Sequence, residues 1–279
     1  MTVILATACA IVYGTADFFG GLATRRSQVL SVVVLSQTAG LALVLALLPL
    51  LPGTYSAQAL SWGLASGLAG AAGLVLFYRA LATGVMSVVA PTTAVTSAAL
   101  PVVFGLATGD RPGPWALVGV VLALGAVLLV SQDGSGGGKV TPRSVLISLA
   151  AGAGFGGFFI LLAMAPDDAG MWPLVGARLS SVSVVALLAL LTRRGLRPVP
   201  GSLGVIAAAG VLDMAANVLY LLAQRDGLLS LVAVLVSLYP ASTLLLANRV
   251  LGERLRTVQI TGVVCALAAV ALIAVAQHP

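Results

Sequence analysis

With 60% apolar and only 8% charged residues, this 279-residue chain lacks the roughly one-quarter charged content of a water-soluble domain, so a soluble globule is excluded. The formal charge of +6 comes from arginines that border apolar runs without gathering into a patch, which points to lipid headgroups and away from nucleic acid. The two cysteines, Cys9 and Cys265, both lie inside apolar runs, so no disulfide framework is indicated.

Apolar runs of about 20 residues recur along the chain, each able to cross roughly 30 Å of hydrocarbon as a helix. Backbone groups in lipid must bond within their own segment, so these runs are read as helices. Spans are predicted at 3–23, 29–51, 60–82, 85–107, 113–131, 144–164, 172–191, 202–224, 228–248 and 257–276. The first has no basic leader and outruns a signal h-region, so it is read as a retained helix. Gln132 to Pro142, QDGSGGGKVTP, is a glycine- and serine-rich linker. It divides the chain into a five-helix unit at 1–131, a linker at 132–142 and a second five-helix unit at 143–279. Its GGGK fails the phosphate-loop pattern, because Val140 stands where Ser or Thr is required.

The two units read as one unit written twice. Gly109-Asp110-Arg111 precedes the fifth span and Gly252-Glu253-Arg254 the tenth, 143 positions later. The same offset pairs Gly14 with Gly157, Gly67 with Gly210, Gly84 with Gly227, Gly119 with Gly262 and Ser87 with Ser230. Composition alone would give about two glycine coincidences, against the five found.

Five crossings per unit is odd, so the second copy must enter the membrane from the opposite side: the fold class expected is an all-α integral membrane protein of ten transmembrane helices in two inverted five-helix repeats. Inversion predicts that basic residues swap sides between equivalent loops. Arg25 and Arg26 in the first loop answer to Asp167 and Asp168 after span six, and the uncharged loop after span two answers to Arg193, Arg194 and Arg197. Together with Arg79, Lys139, Arg143, Arg249, Arg254 and Arg256, these arginines place the odd-numbered loops in the cytoplasm and both termini outside. Arg111 and Arg225 fall on the other face.

Several motifs are better explained by packing or solvation than by chemistry. Gly152, Gly154 and Gly157 have GxGxxG spacing but lie within an apolar helix, not after a strand, so close helix packing is expected of them. Gly63, Gly67, Gly70 and Gly73 form a similar small-residue face in span three. Asp167-Asp168 reads as a solvated turn in preference to a cation site. The single histidine, His278, has no partner in the sequence for a triad or a metal site, and no cofactor, metal or enzymatic activity is expected.

The informative residues are polar ones within spans, because a charge at the bilayer centre costs at least ~2.5 kcal/mol and so faces a bundle interior or a wet cavity. Asp213, Asn217 and Tyr220 form an i, i+4, i+7 stripe in span eight. Tyr13 and Asp17 share a face of span one, Gln37 lies in span two and Arg178 in span seven. Counting ~1.5 Å of rise per residue puts Asp213 near the midplane with Asp17 and Arg178 a few ångströms off it on opposite sides, and Asp213 with Arg178 is the easier pair. Arg79, near the end of span three, is expected to snorkel to the headgroups. Pro91, Pro101 and Pro240 remove backbone donors within spans four and nine, where kinks or exposed carbonyls are expected. Thr92, Thr93, Thr96 and Tyr239 either line a cavity there or, for the threonines, bond back to their own helix.

This pattern resembles the drug/metabolite transporter superfamily in its EamA-type branch, over almost the whole chain. Gly252-Glu253-Arg254-Leu255 looks like that family's second-unit signature and Gly109-Asp110-Arg111 like a weakened first copy. Tyr13-Gly14, followed by Asp17-Phe18, occupies the place of its Trp-Gly start. Arg178 is similar to the arginine found early in the second helix of a unit, where span two carries Gln37 instead. The resemblance implies termini in the cytoplasm, opposite to the arginine asymmetry, and for orientation the charges are followed.

The expected function is secondary active transport in the plasma membrane, moving a small metabolite or amphipathic compound outward by alternating access. Its partners are the lipid bilayer, a small-molecule substrate and protons. Substrate binding or coupling is assigned to Tyr13, Asp17, Gln37, Arg178, Asp213, Asn217 and Tyr220. Protonation of Asp17 or Asp213 is the coupling step, since burial penalises a carboxylate's charge. An uptake permease for a sugar or other solute is the alternative, and a structural membrane protein that transports nothing is a further one.

Overall fold

In a helix that is apolar all round, side-chain size and not polarity decides which face meets a neighbour, and small residues let backbones approach. The computed structural model describes residues 1–24, 27–51, 53–83, 86–130, 142–192, 196–225, 227–251 and 256–276. Arg25, Arg26, most of the glycine-rich linker, Arg193, Arg194, the Gly252-Glu253-Arg254 knot and His278 lie outside them, and the side chain of Arg79 is likewise outside the description.

The described residues are all helical apart from short connections. The helices are α1 (Thr2–Thr24), α2 (Val29–Leu47), α3 (Ala57–Thr83), α4 (Met86–Thr108), α5 (Pro114–Val130), α6 (Pro142–Ala163), α7 (Trp172–Leu191), α8 (Leu203–Arg225), α9 (Leu229–Val236), α10 (Tyr239–Leu251) and α11 (Thr257–Ala276). Helices α9 and α10 are the halves of one interrupted rod, so the described chain makes ten rods. By length and composition seven are apolar enough to cross a membrane, and shorter apolar stretches at Thr92–Thr108, Pro114–Leu129 and Thr257–Ile273 account for the other three.

The interruption in the ninth rod falls at Ser237 and Leu238, just before Pro240, which has no N–H to continue the ladder. Helix α4, by contrast, runs unbroken through Pro91 and Pro101. Pro101 leaves the Ser97 carbonyl without its usual donor, and Gly156 of α6 packs against that carbonyl. The Ser97 hydroxyl donates to the Ala94 carbonyl at 2.9 Å, which helps keep the turn helical.

Packing follows the small residues. Helix α3 lies on α6 and α7, α8 lies on α1 and α2, α4 lies on α6, α10 lies on α1, and α5 lies on α11. A Cβ at Gly63 or Gly67 would strike the carbonyls of Pro173 or Ala177 in α7, and one at Gly210 would strike the Ser36 carbonyl in α2. Gly70 and Gly73 receive Phe158 and Phe155 of α6, while Gly152 and Gly154 lie against α4 and α3, so the glycines of spans three and six do serve close packing. Asp167 and Asp168 are exposed in a single 3₁₀ turn. The shared core is rich in alanine and valine, with Tyr220, Met214, Leu162 and Met171 as its largest fully buried members.

Candidate functional site

The glycine contacts bring α2, α3, α7 and α8 close enough for three polar side chains to meet inside an apolar shell. Arg178, on α7, donates to the carboxylate of Asp213 on α8 and to the amide oxygen of Gln37 on α2. Because a guanidinium can only donate, the Gln37 amide must turn its oxygen toward it. Ser181, one turn after Arg178, donates to the same oxygen at 3.3 Å. The Arg178 side chain is only 8% exposed whereas that of Asp213 is 34% exposed, so the cation is enclosed by protein and the acid opens onto a space beside it. The pair expected from depth along the helices is the pair that forms.

That space is a cavity of about 200 Å³. Its walls include Tyr13 and Asp17 of α1, Gln37 of α2, Phe155, Phe158 and Phe159 of α6, and Arg178 and Ser181 of α7. Asp213 and Asn217 of α8, Ser97 of α4, and Ser237 and Tyr239 at the break in the ninth rod add to the polar part of the lining. Asp17 is exposed to the cavity and, among the described residues, has no hydrogen-bond or ion-pair partner. It lies within electrostatic reach of both Asp213 and Tyr239.

Asn217 is 2% exposed and donates through Nδ2 to the Asp213 backbone carbonyl at 2.8 Å. A carbonyl only accepts, which fixes the amide's orientation and leaves Asn217 Oδ1 as a buried acceptor with no partner among the described residues. Tyr220, the third member of the stripe, does not reach the cavity. It is fully buried beneath Phe159, with ring centroids 4.5 Å apart and its hydroxyl donating to the Phe159 carbonyl at 3.4 Å. Tyr13 meets Phe159 edge-on at 6.4 Å and Tyr239 at 6.5 Å, so one aromatic row runs from Tyr220 to the break.

Six of the seven residues singled out from the sequence thus line one cavity, with Tyr220 as its support. The threonines divide differently: Thr96 bonds back to the Thr92 carbonyl at 2.7 Å, Thr93 reaches the Ser148 carbonyl of α6 at 3.2 Å, and none of the three lines the cavity. Sequence reasoning missed the phenylalanines of α6, Ser181 and Ser237. The spacing of Phe155, Phe158 and Phe159 at i, i+3, i+4 was the available signal for a common face. Among the described residues no group of three His, Cys, Asp or Glu could hold a metal ion.

Comparison with known proteins now bears on this geometry. A solved crystal structure superposes with a TM-score of 0.80 over 99% of this chain and 97% of its own, at 17% sequence identity, a likeness of fold. No curated protein sequence matches the chain. The model of the EamA-like transporter family matches residues 142–275. The chain is therefore a multi-pass membrane protein belonging to the EamA-like transporter family of the drug/metabolite transporter superfamily.

Proposed function

We propose that this transporter is a secondary active exporter in the plasma membrane, moving a small metabolite or amphipathic compound by alternating access with a proton as the coupling ion. The observation that carries the proposal is the cavity itself: two acids and a base, Asp17, Asp213 and Arg178, share one cavity among apolar helices. Charges so placed are costly and are characteristic of substrate and ion pathways. Arg178 already neutralises Asp213, so the coupling role falls to Asp17. No nucleotide-binding motif appears in the sequence, which leaves an existing gradient as the driving force.

The mechanism needs two bundles that rock about the site, and we read them as inverted repeats at 1–131 and 143–279 joined by the linker at 132–142. Packing supports this reading, because shifting by one unit exchanges α3 on α6 for α8 on α1, and α3 on α7 for α8 on α2. Gly67 against Ala177 of α7 is matched by Gly210 against Ser36 of α2, the two glycines being 143 positions apart and the partner positions agreeing to within two residues. The family match at 142–275 also has nearly the bounds of the second unit.

Alternating access is tested by thiol labelling in liposomes. With Cys9 and Cys265 replaced, Ser237→Cys should react with a membrane-impermeant maleimide added from either side. Reaction from one side only, under every gradient applied, rejects the proposal. Direction is tested by comparing uptake into intact cells with efflux from loaded ones, the uptake permease predicting accumulation. Coupling is tested by flux under a pH gradient, and unchanged flux in Asp17→Asn would reject it.

A further inference from the structure

The cavity's charges do not balance. Asp213 and Arg178 cancel, which leaves the Asp17 carboxylate as a net negative charge with no protein partner among the described residues. A carboxylate facing a largely apolar cavity gains from a proton or from a ligand of opposite sign, because both offset the charge that the lining leaves unpaired. Asn217, also on the cavity wall, has an acceptor, Oδ1, with no donor among the described residues. Around them stand the rings of Tyr13, Phe155, Phe158, Phe159 and Tyr239, whose faces attract cations and whose bulk suits an apolar body.

We infer that the cavity is built for an organic monocation with N–H donors, a protonated alkyl or arylalkyl amine, whose ammonium replaces the proton on Asp17. This deepens the transporter reading and rests on it for the passage of the amine, although not for its binding. An anion meets the Asp17 carboxylate and finds Arg178, the cation on the cavity wall, already engaged by Asp213 and Gln37. A neutral ring gains no attraction from the Asp17 carboxylate and leaves its proton in place. An amino acid brings a carboxylate of its own into a cavity that already holds Asp17 and Asp213 against the single positive charge of Arg178.

Proton and ammonium compete for one group, so binding must fall as the solution is acidified. The ionisable groups that face Asp17 are Tyr13 on its own helix, Asp213 on α8, Arg178 on α7 and Tyr239 on α10. Of the other helices packed on α1, α2 and α9 carry no ionisable side chain and α11 carries only Cys265.

The test is binding to the detergent-purified full chain, read by calorimetry and by thermal stabilisation, using phenethylamine, 2-phenylethanol, 3-phenylpropanoate and phenylalanine as probes. Phenethylamine is expected to bind best of the four, to weaken about tenfold or more in Asp17→Asn, and to recover in Asp17→Glu. Asn217→Ala should weaken the amine selectively. Asp213→Asn, which frees Arg178, should move preference toward 3-phenylpropanoate. The inference is overturned if the alcohol, the acid or phenylalanine binds as well as the amine, or if a folded Asp17→Asn protein, shown by an unfolding temperature without ligand at or above that of the parent, keeps its amine affinity. Two-sided labelling of Ser237→Cys reports on transport separately: amine binding with one-sided labelling would keep the site and reject the carrier, and the converse result would keep the carrier and reject the amine.

Discussion

Arg178 and Asp213 are bonded across α7 and α8, and the arginine is the more deeply buried partner. Removing one member of such a pair strands the other in low dielectric at a cost of about 3–5 kcal/mol, more than removing both. Asp213→Asn and Arg178→Gln should each lower the unfolding temperature of the purified protein. The double variant should be less destabilised than either single one. If the double variant is the least stable of the three, the pair is not the closed electrostatic unit described above.

Gly210 lies against the Ser36 carbonyl, and this approach sets the distance between the helices that carry Asp213 and Gln37. A methyl group there forces α2 and α8 apart, and overpacking of this kind costs about 1–3 kcal/mol. Gly210→Ala and Gly67→Ala should therefore both reduce stability and flux. Gly204→Ala, also in α8, should be harmless, because nothing lies within 4 Å of the added carbon. Unfolding temperatures of the three variants decide the matter.

This geometry also indicates what the sequence can and cannot reveal. Polar residues such as Asp17, Gln37, Arg178 and Asp213 stand out because each is expensive in an apolar run, so cost alone marks them as inward-facing. The phenylalanines of α6 do not stand out, because the lipid face of the same helix is equally apolar and periodicity has no contrast to report. The ten rods were legible within a few residues for the same reason that faces were not: length in hydrocarbon is a property of the run, while orientation depends on the neighbour. Prolines were ambiguous evidence, since Pro240 adjoins a break and Pro91 and Pro101 do not.

Asp110, in the connection before α5, accepts the backbone N–H of Ser230 at 2.9 Å and so caps the start of α9 from another part of the chain. An acid at a helix N-terminus satisfies a free donor and meets the positive end of the helix dipole. Asp110→Ala should cost about 1 kcal/mol, with Asp110→Asn intermediate. Hydrogen exchange at Ser230 and Leu231 should quicken in Asp110→Ala while exchange in α7 stays unchanged. Equal protection at Ser230 with and without the acid would remove the cap from the account.

Orientation follows from where the arginines lie, and Leu196 is exposed beside them. In a background without Cys9 and Cys265, Leu196→Cys should be blocked only by reagent that reaches the cytoplasmic face, and a cysteine at Arg111 only by reagent outside. The opposite pattern would turn the molecule over without changing its fold, and would agree with the termini implied by the family.

The break at Ser237 and Leu238 separates a fully buried α9 from a more accessible α10, and it places Ser237 and Tyr239 on the cavity wall. Pro240 denies the Val236 carbonyl a donor, so Pro240→Ala should let the ninth rod close its hydrogen-bond ladder and gain helix stability. A rod made continuous is also a rod less able to bend beside the site. The expected result is an unfolding temperature at or above that of the parent together with slower flux and one-sided labelling of Ser237→Cys. Full flux in a stabilised Pro240→Ala protein would mean that the interruption serves packing alone, and that the two bundles move past the cavity as unbroken bodies.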